Sequence, residues 1–188
     1  MLVTTRRRLG VTPDTTHVTL HPLALDDAVD LMASQLGRIR VDEDRAGAMA
    51  VARMCDGLPL ALRIAGGRLT IRAGLSLSTL AEMMELNPLD GLELGDLSMR
   101  QHLAHDYQVV AGEDAVARRV FPLLGRLAAE ETLTVQQAAE RLGEDRSRVF
   151  RALERLVDAQ LAETPESGHY RAPGLLRHFA AELQLVAG

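Results

Sequence analysis

There is no lysine in this chain: all 21 basic residues are arginine. A phosphate-binding loop of the Gly-x-x-x-x-Gly-Lys-Ser/Thr type needs the lysine ammonium to reach the β- and γ-phosphates, so the chain holds no such site of its own. Tryptophan is absent as well, and aromatics make up 3% of residues against 47% hydrophobic overall, so the cores must be built from Leu, Ala, Val and Met. The single cysteine, Cys55, excludes an intramolecular disulfide and fits a reducing cytosol. No run approaches the ~18 uninterrupted apolar residues of a membrane span, and the first residues lack a signal-peptide layout. A cytoplasmic chain with no membrane partner is expected. A strongly basic segment is missing too. The net charge is −5; residues 1–22 hold three Arg against one acid, residues 23–105 eight against twelve, and residues 106–188 ten against thirteen. That is not the basic excess of a dominant nucleic-acid surface.

What is present is mostly helical periodicity, in a chain of 188 residues that is long enough for one or two domains. Two β-prone runs open it, Leu2-Val3-Thr4-Thr5, ending in Arg6-Arg7-Arg8, and His17-Val18-Thr19-Leu20. Two short strands do not make a stable sheet. Either the chain is part of a longer protein, or these strands pair with another copy. Asp26 and Asp27 then mark a helix start, and Ala28, Leu31, Met32 and Leu36 give it one apolar face. A second helix is expected over 44–54, with Ala48, Val51 and Met54 inward. The break Cys55-Asp56-Gly57-Leu58-Pro59 follows: Gly57 can end one helix, and Pro59 suits the first turn of the next. Residues 60–69 should form the most buried helix, with Gly66-Gly67 permitting close packing. Ser78 is expected to cap a helix to residue 86, where Asn87-Pro88 ends it, before a loop over 89–96 and a helix over 98–110.

Residues 113–188 read as a winged helix. Helix 114–127 carries Val116, Val120, Phe121, Leu124 and Leu127 on one face, and a short strand at 132–134 leads into helix 135–142. Gly143-Glu144-Asp145 turns into a second helix, 146–159, and residues 161–171 form the hairpin wing. A helix over 175–185 closes the subdomain. In helix 146–159 the core face is Val149, Phe150, Leu153, Leu156 and Val157. Arg148, Arg151 and Arg155 fall within about 60° of one another on the other side, where a recognition helix would face DNA. Glu154 and Asp158 flank that stripe, so a solvated face or a protein contact competes with a DNA-binding one. His102 and His105 have a permissible metal-ligand spacing, but no third ligand is predictable. His17 and His21 lie roughly 13 Å apart if extended and cannot share an ion. No catalytic constellation can be assembled.

Thr4-Thr5-Arg6 and the run Gly57-Leu58-Pro59-Leu60-Ala61-Leu62, in this order, about fifty residues apart and followed by a winged-helix pattern, resemble the second half of an NB-ARC module. That module is the nucleotide-binding switch of STAND-class NTPases, here in the form found in AfsR/SARP-type transcription regulators of actinobacteria. The resemblance implies a mainly α fold in three parts. Residues 1–22 would be a remnant of a parallel P-loop sheet, residues 23–112 a helical bundle and residues 113–188 a winged-helix subdomain. It also implies that Arg6 stands at a sensor position near the γ-phosphate, and that Gly57, Leu58 and Pro59 line the adenine side of a bound nucleotide. ATP or ADP would be held by the intact parent with the help of an upstream P-loop half, and this chain alone would bind nucleotide weakly or not at all and would not be an enzyme. Self-association through the strands or the bundle is a possible further partnership, and DNA would be met through a separate effector domain. Where the family pattern places a His-Asp pair after the wing, this chain has Pro173-Gly174. Phosphate sensing by this loop is therefore not expected. The rival reading is a free-standing winged-helix DNA-binding regulator, with Arg148, Arg151 and Arg155 on the DNA and residues 23–105 serving dimerisation.

Overall fold

Asp26 and Asp27 lie in the first turn of α1 (Leu25–Leu36), where their charge complements the exposed N–H groups. The computed structural model describes Val18 and residues 20–185, the last two by their backbone only. The expected strand at 2–5 lies outside the described residues, as does Arg6. Of the strand expected at 17–20, Val18 and Leu20 are described; they are exposed and belong to no strand. The chain divides into two compact units, one being Leu20–Leu103 and the other taking the chain from Ala104 onward.

In the first unit α1 is followed by a short helix α2 (Arg38–Glu43), then α3 (Arg45–Met54), α4 (Pro59–Ile71) and α5 (Leu77–Leu86). A 3-10 turn (Pro88–Gly91) and a two-stranded antiparallel hairpin, β1 (Glu93–Leu94) and β2 (Leu97–Ser98), lead into α6 (Met99–Glu113), inside which the division falls. Helix α4 buries Ala61, Leu62, Ile64, Ala65, Gly66 and Leu69, so its apolar run is spent on packing. Its glycines meet two neighbours, Gly66 the helix α1 and Gly67 the hairpin strand β1 rather than a helix. A Cβ on Gly66 would stand 2.6 Å from the Gln35 side-chain oxygen, and one on Gly67 would collide with Leu94.

Several details differ from the sequence reading. On α1 the buried residues are Ala28, Val29, Met32 and Ala33, while Leu31 and Leu36 stay half-buried. Small residues carry the close contact there, which apolar size alone does not reveal. Met54 is half-buried and Ala52 takes the inward place. The α5 cap is Ser76, whose hydroxyl accepts from Thr79 N–H at 3.0 Å; Ser78 instead bonds Asp44. The stretch expected as a loop holds the 3-10 turn and hairpin because Leu89 and Leu92 are fully buried.

The second unit follows its expectation more closely. It runs α7 (Ala115–Gly125), β3 (Leu133–Thr134), α8 (Val135–Leu142), α9 (Arg146–Asp158), β4 (Glu163–Glu166), β5 (His169–Arg171) and α10 (Gly174–Leu185). The sheet order is β3-β5-β4, all antiparallel, with Leu133 opposite Tyr170. The five core residues expected between 116 and 127 are all buried. On α9 the core face is Val149, Ala152, Leu153 and Leu156; Phe150 is 48% exposed and Val157 half-buried. The expected face was rotated toward larger apolar side chains, whereas Ala152 makes the close contact.

Candidate functional site

The turn between α3 and α4 is held by backbone bonds. Asp56 N–H donates to the Arg53 carbonyl at 3.0 Å and Gly57 N–H to the Ala52 carbonyl at 3.4 Å, a Schellman-type helix end. Both residues are in the left-handed region, at φ 51° and 62°. Glycine at 57 is required for a second reason: a Cβ there would run into the Leu23 carbonyl oxygen, while Leu23 N–H donates to the Gly57 carbonyl at 2.9 Å. Leu58 is extended and half-buried, and its N–H bonds the Cys55 carbonyl at 2.9 Å. Pro59 occupies the first position of α4, where its missing N–H removes no helical bond, and its ring is exposed. No side chain caps this helix start. Cys55 beside it is fully buried, and burial first, then the Asp56 charge, push its thiol far above the ordinary range, so it is no nucleophile.

On the flank of α4 an open groove of about 260 Å³ is lined by Leu60, Ile64, Asp96, Leu97, Ser98, Gln101 and His102. It is smaller than the roughly 300 Å³ at which small-molecule pockets begin. Among the described residues no three His, Cys, Asp or Glu side chains are placed to hold a metal ion, His102 and His105 included.

In the second unit a helix-turn-helix is set by local polar bonds. Gly143 ends α8 at φ 64°, and the Asp145 carboxylate accepts from Ser147 and Arg148 N–H at 2.9 and 3.2 Å to start α9. Arg148, Arg151 and Arg155 are all exposed, as the helical spacing requires. Two of them are engaged. Arg148 pairs with Glu144 at 3.1 Å, which also holds Arg119 at 2.5 Å, and Arg155 pairs with Asp114 at 3.4 Å. Glu154 accepts the Tyr170 hydroxyl at 2.7 Å, and burial together with that carboxylate pushes the phenol up to about 12. The wing adds no positive tip. Residues 164–168 are exposed and include Glu166, while Arg171 at the base is bound by Glu163 and Glu130. Gly174 begins α10 and Pro173 just precedes it: the Pro173 carbonyl accepts from Leu176 and Arg177 N–H at 3.0 and 3.3 Å. Neither side chain can donate to a phosphate. On α10 burial first, then the Arg177 charge, hold His178 below its ordinary pKa, with Glu182 pulling the other way.

Residues 116–166, from the second position of α7 to the end of β4, match the IclR helix-turn-helix domain family. Over 181 residues, 95% of this chain, the sequence is 34% identical to Regulatory protein AfsR of Streptomyces griseus and to that of Streptomyces coelicolor (strain ATCC BAA-471 / A3(2) / M145). The chain is similar to AfsR regulators. It spans 18% of the length of each. The AfsR likeness covers both units, not the helix-turn-helix alone. No helix among the described residues is long and apolar enough to cross a membrane. Two features of the site were missed in the sequence. The bond between Leu23 and Gly57 had no local signal. The engagement of Arg148 by Glu144, at i and i+4, was readable from spacing.

Proposed function

We propose that this chain is the helical and winged-helix arm of a nucleotide-dependent regulatory switch of the STAND/NB-ARC kind, as part of an AfsR-like transcription regulator. The observation that carries the reading is the Gly57–Pro59 turn: a backbone-locked platform with one exposed, rigid apolar ring, in a chain whose AfsR likeness spans both units. An exposed proline ring suits the flat face of an adenine base, and Gly57 and Leu58 hold it in place. The residues fit the base end of ATP or ADP. They do not fit its phosphate end, since the chain has no lysine and positions 173 and 174 carry no donor side chain. The phosphates would belong to a P-loop half elsewhere in the parent protein, with Arg6 as the one candidate sensor from this chain. The arm would do no chemistry by itself; it would read the nucleotide and move the winged helix.

The test is to replace the matching segment of Streptomyces griseus AfsR with this chain and titrate ADP by calorimetry. The chimera should bind ADP, and Pro59→Ala should weaken binding by roughly tenfold, the loss of one apolar contact face of about 1.4 kcal/mol. A folded chimera whose ADP affinity is unchanged by Pro59→Ala would overturn the assignment.

The second reading, direct DNA binding by α9, is favoured by the match to the IclR helix-turn-helix family. Against it, Arg148 and Arg155 would have to leave ion pairs to reach phosphates, and the wing presents Glu166. A steeply salt-dependent affinity of this chain for duplex DNA, abolished by R148A/R151A/R155A, would establish it instead.

A further inference from the structure

Helix α7 contains a proline, Pro122, in its third turn. With no N–H of its own, Pro122 cannot give the Arg118 carbonyl its helical hydrogen bond, and its ring crowds that same oxygen. The carbonyl is nonetheless satisfied. The phenol of Tyr107, on α6, donates to it at 3.1 Å. The ring of Tyr107 stacks on Phe121, the residue just before the proline, with centroids 5.1 Å apart and planes at 29°. It also meets Phe179 of α10 edge-on at 6.0 Å and 74°. Three of the five aromatic side chains in the chain are thus gathered beside the one proline inside this helix.

We propose that Tyr107 is a latch: its hydroxyl replaces the hydrogen bond that Pro122 removes, and so fastens residues 104–113 of α6 across the first helix of the winged-helix unit. The two residues are complementary in a strict sense. Proline at 122 leaves the Arg118 carbonyl short of its helical donor, and tyrosine at 107 combines a stacking ring with a hydroxyl that reaches it. Phenylalanine would keep the stack and remove this donor from the carbonyl. Burial raises the Tyr107 phenol above its ordinary pKa, against a smaller opposite pull from Arg118, so it remains a donor at neutral pH. Release of the latch would uncover Phe121 and Phe179, both buried. The device rests on the fold of this unit alone, whatever the chain binds.

The experiment is a double-mutant cycle in the whole chain with Tyr107→Phe, Pro122→Ala and the pair. With Pro122 present, Tyr107→Phe should lower the thermal midpoint by roughly 2–4 °C. It should also speed amide exchange in residues 104–113 about fivefold, while residues 133–171 are unchanged. In the Pro122→Ala background the helix supplies its own N–H, so the same substitution should shift the midpoint by less than about 1 °C. An equal penalty in both backgrounds would mean that Tyr107 acts by packing only. No penalty in either would mean that the hydroxyl holds nothing. Either result overturns the latch.

Discussion

The two units hold their polar groups in different ways. In the winged-helix unit the ties that start helices are local: Asp114 accepts from Val116 and Ala117, Asp145 from Ser147 and Arg148, and Thr134 exchanges bonds with Gln137. Its distant ties include ion pairs with at least one exposed partner each, worth about 0–1 kcal/mol, beside the Arg119 guanidinium on the Leu142 carbonyl at 2.7 Å and the Tyr170 hydroxyl on Glu154 at 2.7 Å. The helical unit has local caps as well, at Asp44, Ser76 and Asn87, and adds more ties at a distance. Asp44 bonds Ser78 N–H at 2.7 Å and Ser78 Oγ at 2.6 Å, and the Arg40 guanidinium donates to the carbonyls of Leu69 and Leu75 at 3.0 and 2.8 Å. Arg68 donates to the Asp90 carbonyl at 2.7 Å. Local caps fix where a helix begins whatever it packs against. Distant ties form only once helices have docked, so they specify the arrangement rather than the element.

The comparison breaks hardest where the locally tied unit depends on a distant contact. A Cβ on Gly125 of α7 would collide with the Ala181 N, and would stand 2.5 Å from the Ala180 carbonyl carbon and 2.8 Å from Ala181 Cα, all backbone of α10. Backbone cannot swing aside as a side chain can. Gly125→Val should cost about 3 kcal/mol or more, the upper range of overpacking, in urea denaturation. Amide exchange should place the loss in residues 115–183 and leave residues 25–94 as they were. A valine variant within about 1 kcal/mol of the parent would mean that α7 and α10 are not held by that approach.

Next in size is the Asp44 node. Asp44→Ala removes the α3 cap and leaves the Ser78 N–H without its partner, so a loss of about 2 kcal/mol is expected in the helical unit. The node also has a pH signature. The Ser78 hydroxyl, then the N–H groups of Ser78 and Gly47, hold this carboxyl below its ordinary value, against an opposing effect of burial. A depressed folded pKa contributes stability that is present above the unfolded value, near pH 4, and lost as pH falls through the folded one. Urea midpoints of the parent should therefore drop more steeply below about pH 4 than those of Asp44→Ala. Parallel pH profiles would remove Asp44 from the account.

This difference between the units is also why one was more legible in the sequence. Gly143, Asp145, Thr134 and the wing turn at Gly168 announce themselves within a few residues, and the elements of the winged helix fell within a residue or two of expectation. In the helical unit Asp44 sits visibly at a cap position, but its bond to Ser78 lies 34 residues away and no local pattern encodes it. Ser78 was taken for a cap because serine before a helix reads so; its neighbour Ser76 does that work. Helix α2 was missed because its six residues bury only Val41. At the candidate site the Gly57–Pro59 turn was legible from residue types alone, whereas the reason for glycine, the Leu23 backbone beneath it, was not. Phe150 was misplaced because a large apolar residue next to a core position is assumed to be inward, and here the small Ala152 is.

The smallest expected effect tests the local side of the comparison most directly. Thr134 ends β3 and caps α8: its hydroxyl accepts from Gln137 N–H at 3.2 Å, while its own N–H donates to the Gln137 side-chain oxygen at 2.9 Å. Thr134→Ala deletes one half of this box and keeps the backbone N–H that pairs with Gln137. A loss of about 1 kcal/mol is expected, and Thr134→Ser, which retains the hydroxyl, should recover most of it. If the tie is local, the loss should appear as faster exchange in the first turn of α8, with the exchange of α7 and α10 unaltered. Faster exchange spread evenly through α7, α9 and α10 would mean that the cap is felt through packing. The winged helix would then be held together at a distance, like the helical unit.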